Sequence, residues 1–481
     1  MIFPSITFLA LFFPMILLIF YAFSFTKTIQ KIWIVFVSCV FYTWGQPDDA
    51  LIFFGILIIN IFLGERITAS INTNHKLKAR GYFIISIILN VGALVFMRYI
   101  SFIQENLNMI IQNQAIDIGE QTLPVGMLFF SLRAISFCAD CYTKKVGKRS
   151  LIDSFFYLSF FPFLLAGPLI SYQDLNGSKS ELYFDGRRFS VGMCRFTVGL
   201  SKKVLIADNL AIVSNRIFDL SMIGDISYEI PVLLAWLGLI AFAMQIYFDL
   251  SAYSDMAIGI ALCLGYKCPE NVDYPYLAKS VTEFWNRFHI SLMKWFDQYF
   301  LRPLDRNNGT NKDRMVLNIF IMWCVIGLWH GPNWTFVFWG IWNSVFILLE
   351  KLKMIHWDKD RSIFKSIYVC AVILVGWVLF RTTDLYQAGE YFKNLLGLNH
   401  NAIYNDLVTV FLKEFGLVLV IGLIFLFPIA RVFNNWQINH PESLIVKMNT
   451  IVYPIVLIGL FLVCTIYLFF TNAQPFIYLI L

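Results

Sequence analysis

The chain has 481 residues, of which 58% are hydrophobic and only 14% charged. Soluble domains carry about 25% charged residues, and several apolar runs here reach the ~20 residues a bilayer-crossing helix needs, which excludes an ordinary water-soluble globule. The formal charge of +6 does not mark a nucleic-acid binder, because the basic residues are spread over short loops between apolar runs.

In chain order, hydropathy predicts membrane segments at 5–25, 32–44, 50–64, 82–100, 123–140, 152–170, 191–214, 231–250, 315–330, 333–350, 364–381, 408–430 and 451–471. The fold expected is all-α: a polytopic membrane protein of about 11–13 membrane segments, some re-entrant or interfacial. Residues 1–26 carry no charge, so they read as a first span and not as a cleavable leader with a basic start. The sequence shows no repeat, low-complexity tract or soluble domain, so 1–481 is read as a single integral-membrane domain. The nine cysteines are read as reduced packing residues, and no metal site is expected.

Basic clusters at Lys27/Lys31, Arg66 to Arg80, Lys144 to Arg149, Arg302 to Arg314 and Lys351 to Lys365 alternate with acidic, cation-free loops at 45–50 and 104–121. The positive-inside rule puts the basic clusters in the cytoplasm. Both chain termini are then expected outside, with 472–481 a short extracytoplasmic tail.

One stretch stands out chemically. "GLWHGPNWTFVFWG" (327–340) places His330 among aromatics, just before the helix-breaking Gly331-Pro332. Counted from Met315 at 1.5 Å per residue, His330 lies about 24 Å along its helix, within a hydrocarbon core of roughly 30 Å. Irregular backbone at that depth must be buried in protein or line a cavity, and an ionisable residue there is a functional candidate. The structural alternative is a histidine packed on tryptophans and bonded to a backbone carbonyl.

A second histidine lies in "KSVTEFWNRFHISLMKWFDQYFLRPL" (279–304). Ser280 and Glu283 have capping-box spacing, Phe284, Phe288, Leu292, Phe296 and Phe300 recur every four residues, and Glu283 and Arg287 form an i,i+4 pair. The pattern predicts one amphipathic helix over 279–302, lying along the cytoplasmic interface or dipping into the protein. His289 falls at the border of its apolar stripe, where a packing role is the simpler reading. Asp249, Ser251, Tyr253, Ser254 and Asp255 crowd an otherwise apolar segment; caps and turns at a helix break explain them most simply.

Together, "EFWNRFHISL" (283–292) and "WHGPNW" (329–334) resemble the membrane-bound O-acyltransferase family. The likeness is to its bacterial branch, which serves alginate and peptidoglycan O-acetylation and teichoic acid D-alanylation. "LPVGMLFFSLRAISFCADCY" (123–142), "FFPFLLAGPLISYQDL" (160–175), "FTVGLSKKVLIADNL" (196–210), "QIYFDLSAYSDMAIGIALCLGYKCPENVDYPY" (245–276) and "WVLFRTTDLYQAGEYF" (377–392) extend it over nearly the whole chain. Phe288 replaces a customary tryptophan, and "DRNNG" (305–309) departs from the usual loop after "RPL".

The resemblance implies an acyltransferase that passes an acyl group, most often acetyl, from a cytoplasmic thioester to a hydroxyl at the outer face of a bacterial cell membrane. His330 would be the general base, since imidazole with a pKa near ~6.5 is neutral at physiological pH and an apolar setting disfavours its cation. His289 would be the second catalytic histidine, shaping the donor side or orienting the thioester. Trp329, Asn333, Glu283, Trp285, Arg287, Asp249 and Asp255 would border the chamber or its donor side.

The branch also implies a role for the ending "PFIYLIL": Tyr478 as an acyl relay, against the alternative of an interfacial belt tyrosine. Acetyl-CoA, another acyl-CoA or an acyl carrier protein would be the donor, with no cofactor bound. The bilayer and an extracytoplasmic esterase-like O-acetyltransferase, or another acceptor protein, would be the partners. D-alanyl transfer from a carrier protein is the alternative within the family. A transporter would show inverted repeats, which are absent, and a non-catalytic export scaffold would be indifferent to alanine at His330.

Overall fold

The computed structural model describes residues 2–111, 123–147, 149–177, 183–223, 226–227, 230–305, 312–355, 363–471 and 474–477. A π-helical turn at Phe8–Phe12 leads into α1 (Phe13–Ala22), followed by α2 (Lys27–Gly45), α3 (Pro47–Asn72), α4 (Lys76–Leu94), α5 (Ile100–Ile111), α6 (Met127–Tyr142), α7 (Leu151–Ser159) and α8 (Tyr172–Gly177). Next come α9 (Gly186–Ser201), α10 (Asp208–Ser221) and the long α11 (Val232–Cys263). The histidine-bearing region contains α12 (Val281–Arg287), α13 (Ile290–Trp295), α14 (Arg302–Asp305), α15 (Lys312–His330) and α16 (Trp334–Lys351). The chain continues through α17 (Ile363–Arg381), α18 (Leu385–Leu396), α19 (Asp406–Phe425), α20 (Ile429–Asn439) and α21 (Leu444–Phe470). The sole extended pairing among the described residues is a two-residue ladder, Met222–Ile223 against Ile226–Ser227.

Among the described residues, seven helices are long and apolar enough to cross a membrane by length and composition. The other expected segments are shorter or less apolar. The core is built on α11: from Ala241 to Ala261 every residue is buried except Asp255. It packs against α9, α10, α17, α18 and α19. At the periphery, Ile58, Ile59 and Phe62 on α3, Ile84, Ile85 and Ile88 on α4, and Leu462 and Phe469 on α21 stay exposed. In lipid such residues need no partner, because the hydrocarbon is as apolar as they are. The chain is therefore an all-α integral membrane protein.

The expected boundaries are corrected in several places. The segment 82–100 is part of one unbroken run, Lys76–Ile111, in which a π-helical turn at Val95–Tyr99 joins α4 to α5. The segment 191–214 extends to Gly186–Ser221 through a π-helical turn at Lys202–Ala207. The segment 231–250 continues to Cys263, so Asp249 to Asp255 sit inside a continuous helix and not at a break. The expected span 152–170 is not one helix: α7 stops at Ser159, and a short 3-10 turn, Phe161–Phe163, leads into irregular chain. Pro162 and Gly167-Pro168 forbid a continuous helix there, and burial within protein, including a bond from Arg133 to the Phe163 carbonyl, makes the irregular backbone tolerable.

Candidate active site

His330 ends α15, and the chain reverses over Gly331-Pro332 into α16, which Asn333 caps by accepting from the Thr335 N–H at 2.9 Å. The two arms of this hairpin touch backbone to backbone. A Cβ on Gly327 would lie 2.4 Å from the Phe336 carbonyl oxygen, and one on Gly340 2.4 Å from that of Trp323. Only glycine permits that approach. It brings Trp339 to 5.1 Å from the His330 ring, while Trp329 and Phe380 each stand at 5.0 Å. His330 is 5% exposed within this cage.

The orphan carbonyls ending α15 are met from α4–α5. Arg98 donates to the His330 carbonyl at 2.7 Å, and Tyr99 to that of Leu328. A cation at a helix C-terminus also complements the helix dipole. Both residues belong to the π-helical turn Val95–Tyr99, a distortion that recurs at functional sites.

The helix expected over 279–302 is broken at its histidine. Phe288 is extended and His289 is left-handed at φ 54°, so the chain restarts as α13 and then becomes π-helical over Phe296–Leu301. The capping box forms by half: Ser280 Oγ accepts from the Glu283 N–H at 2.9 Å, but Glu283 Oε2 turns to the Lys279 N–H at 2.8 Å. The larger cap comes from α16, where Glu350 accepts from the N–H groups of Val281 (2.6 Å) and Thr282 (3.0 Å). Glu283 and Arg287 pair at 2.6 Å as spaced.

Non-glycine left-handed backbone costs about 1–3 kcal/mol and persists where surroundings impose it. Here Asn271 does so. Its carbonyl takes the Ile290 N–H at 2.8 Å, its Oδ1 takes the N–H and hydroxyl of Ser291 at 3.1 and 2.7 Å, and its Nδ2 donates to Ser254 Oγ at 3.1 Å. His289 is 2% exposed, not at the border of a stripe. Burial lowers its pKa to about 3, so it stands as neutral imidazole.

The two histidines share one aromatic shell. His289 stacks on Phe129 of α6 at 6.0 Å, Phe129 meets Trp329 edge-on at 5.2 Å, and Trp329 meets His330. A second path runs from His330 through Trp339 to Trp285, 5.3 Å away, whose indole N–H donates to Asn343 at 2.8 Å. Trp329 Nε1 is buried and has no hydrogen-bond partner among the described residues. Directly after His289, Ile290 and Ser291 line a cavity of about 300 Å³ that is also walled by Arg133, Asp140, Lys294 and Tyr299. Its rim reaches the basic loop, where Gln173 donates to the Lys145 carbonyl at 2.8 Å.

Other expected residues are engaged in structural pairs and caps. Asp255 pairs with Lys202 (2.6 Å) and Arg195 (3.0 Å) beside a separate cavity of about 260 Å³. Asp249 pairs with the buried Lys203. Asn333 serves as a helix cap, and Glu283 and Arg287 pair with each other. Tyr478 lies outside the described residues. The expected tail is described over 474–477, where Phe476 is buried at 2% exposed and Ile477 half-buried, while Gln474 and Pro475 stay exposed.

Arg98, Tyr99, Phe129, Asn271 and Glu350 were not among the expected site residues. Of these, Arg98 had a readable signal, an arginine at the end of an apolar run. Reading the cysteines singly also overlooked Cys138 and Cys141, which have C-x-x-C spacing. Both are free thiols, and the described residues hold no cluster of three or more His, Cys, Asp or Glu able to bind a metal ion.

Within this helical membrane body His289 and His330 are both buried and are linked through the rings of Phe129 and Trp329. The model of the membrane-bound O-acyltransferase family matches residues 79–380, and the chain belongs to that family. It is similar to a probable alginate O-acetylase from Azotobacter vinelandii, 33% identical over 80% of this chain and 76% of the relative. It also resembles the peptidoglycan O-acetyltransferase of Helicobacter pylori, 29% identical over 77% of this chain and 74% of that one. Similarity to the teichoic acid D-alanyltransferase of Bacillus subtilis is 26% over 47% of this chain and 60% of that protein. The protein is a membrane acyltransferase.

Proposed function

We propose that this acyltransferase carries acetyl groups from a cytoplasmic thioester, acetyl-CoA or an acyl carrier protein, to an acceptor for O-acetylation of an extracellular or cell-wall polysaccharide. The observation that carries this reading is the shared burial of His289 and His330, with the cavity beginning one residue after His289. A thioester arm entering that cavity from the basic-loop side would bring its carbonyl toward the two rings.

In the step proposed, His330 takes the proton of the acceptor hydroxyl as its oxygen bonds to the thioester carbonyl carbon. The tetrahedral intermediate collapses, the C–S bond breaks, and the thiolate leaves with the proton His330 held. His289, neutral and fixed by its turn, orients the thioester. Trp329 Nε1–H, buried and without a hydrogen-bond partner among the described residues, is proposed as the donor to the developing oxyanion, in a dry setting where such a contact is strong.

The acceptor hydroxyl at this site is proposed to be Tyr478. Its aryl ester is a better leaving group than an alkyl ester, so onward transfer to an extracytoplasmic esterase-like O-acetyltransferase is chemically reasonable. The relatives' printed activities support acetyl over D-alanyl, and the orientation proposed is a bacterial inner membrane with both termini outside.

The test uses membranes containing the protein and acetyl-CoA labelled in the acetyl group. Label should reach protein and outer face in wild type and stop with His330→Ala; normal transfer by His330→Ala sinks the base assignment. Loss of protein-bound label in Tyr478→Phe supports the relay, and retained label sinks it. A wild type active only with a D-alanyl carrier protein would replace acetyl by D-alanyl.

A further inference from the structure

Away from the histidines lies a second cluster of buried charge. Lys203 sits on the π-helical turn between α9 and α10, Asp208 begins α10, and Asp249 is midway along α11. Lys203 Nζ is 2.9 Å from Asp208 Oδ1 and 2.7 Å from Asp249 Oδ1, and the three side chains are 5% exposed or less. Two carboxylates face one ammonium. Such a cluster is costly to bury unless its remaining lone pairs find donors.

The donors come from the end of the chain. The Ile477 N–H bonds Asp249 Oδ2 at 2.6 Å, and the Gln474 N–H bonds Asp208 Oδ2 at 3.3 Å. Lys203 in turn donates to the Pro475 carbonyl at 3.3 Å and lies 4.3 Å over the Phe476 ring. Every contact except that ring is to backbone, so the triad grips the segment by its peptide groups. Undocking the segment would strand two buried carboxylate oxygens in the protein interior.

From the latch, contacts lead to the His289 turn by two routes. Phe476 meets the ring of Tyr253, one helical turn beyond Asp249, at 4.9 Å. Tyr253 presses on Gly167 so closely that a Cβ there would lie 2.9 Å from its ring. Two residues on, the Leu169 N–H bonds Ser291 Oγ at 2.9 Å. The second route passes from Ser254, next to Tyr253, through Asn271 to the same Ser291.

We propose that Lys203, Asp208 and Asp249 are positioning residues that latch residues 474–477 into the protein, and that the docked Phe476 holds Tyr253, the Gly167–Leu169 chain and the His289 turn in the transferring arrangement. The functional half rests on the acyl-transfer reading of that turn; the latch itself does not. The triad touches no reacting atom in this scheme and acts by fixing the chain end.

The protein in lipid nanodiscs provides the test, by hydrogen–deuterium exchange of peptides spanning 474–477 and by transfer from labelled acetyl-CoA. Wild type should protect the segment, and Asp249→Asn should raise its exchange about tenfold or more while α11 exchanges as before. Turnover should fall by a similar factor in Asp249→Asn and in Phe476→Ala, with KM for the donor within about twofold. Phe476→Ala leaves the triad intact and carries the test where Asp249→Asn does not fold. Free exchange over 474–477 in wild type, or full turnover in Phe476→Ala, overturns the proposal. A wild type that transfers nothing sinks the acyl-transfer reading, and exchange alone then decides the latch.

Discussion

Trp329 separates packing from chemistry. Its ring fills the space between Phe129 and His330, yet its buried Nε1–H has no hydrogen-bond partner among the described residues. A stranded buried donor costs about 1–3 kcal/mol, so Trp329→Phe, which keeps an aromatic ring and removes the N–H, loses no bond of the resting protein. The melting temperature should change little while turnover drops about 10²–10³-fold, the usual loss for an oxyanion donor. A parallel fall in both would make Trp329 a packing residue. At His289 the complementary substitution is Asn, because asparagine tolerates left-handed backbone. His289→Asn should fold within about 1 kcal/mol of wild type and still fail in transfer, whereas β-branched His289→Val should also lose stability. His330 was legible because glycine and proline after an apolar run announce a bend at depth. The turn at His289 was not: the apolar residues on both sides of the break continue the four-residue spacing, and what bends the chain is Asn271, eighteen positions earlier.

Two hairpin glycines set the geometry at the scale of the element. Gly327 and Gly340 bring α15 and α16 into backbone contact, and the cage around His330 depends on that closeness through Trp339 and Phe336. Gly340→Ala forces a methyl against the Trp323 carbonyl, which flexible side chains cannot relieve. The expected cost is about 1–3 kcal/mol, read as a lower melting temperature in detergent, together with a loss of transfer larger than the stability loss alone explains. Gly416→Ala on α19 is the control: nothing lies within 4 Å of its added methyl, so helix propensity should leave stability equal or up to about 1 kcal/mol higher. Hydropathy located α15, α16 and α17 to within three residues, because each is one apolar stretch bounded by charged residues or, between α15 and α16, by the Gly331-Pro332 bend. It failed at 152–170, where the apolar run belongs to irregular chain buried by neighbours. Hydropathy reports burial or lipid and does not distinguish them. The π-helical turns were equally invisible, since one inserted residue alters direction without altering composition.

Over the whole molecule, the sidedness of the cavity decides whether the proposed chemistry is possible. The cavity after His289 reaches the Lys145 loop, and Lys144 to Arg149 is one of the basic clusters that the positive-inside rule assigns to the cytoplasm. Acyl-CoA and acyl carrier proteins are cytoplasmic, so the donor reading requires that assignment. Helix packing alone cannot supply it, because helices pack identically whichever way the bundle is inserted; the charge pattern carries the information. A cysteine replacing Gln46, between α2 and the acidic first turn of α3, should react with a membrane-impermeant maleimide on intact cells, with the parent chain as the blank. One replacing Lys144 should react only after permeabilisation. The opposite pattern would put the cavity on the outer face, beyond the reach of any cytoplasmic thioester, and would overturn the direction of transfer. It would leave the aromatic shell and the two histidines unchanged, so the acyltransferase assignment would stand and its donor would have to be sought on the other side.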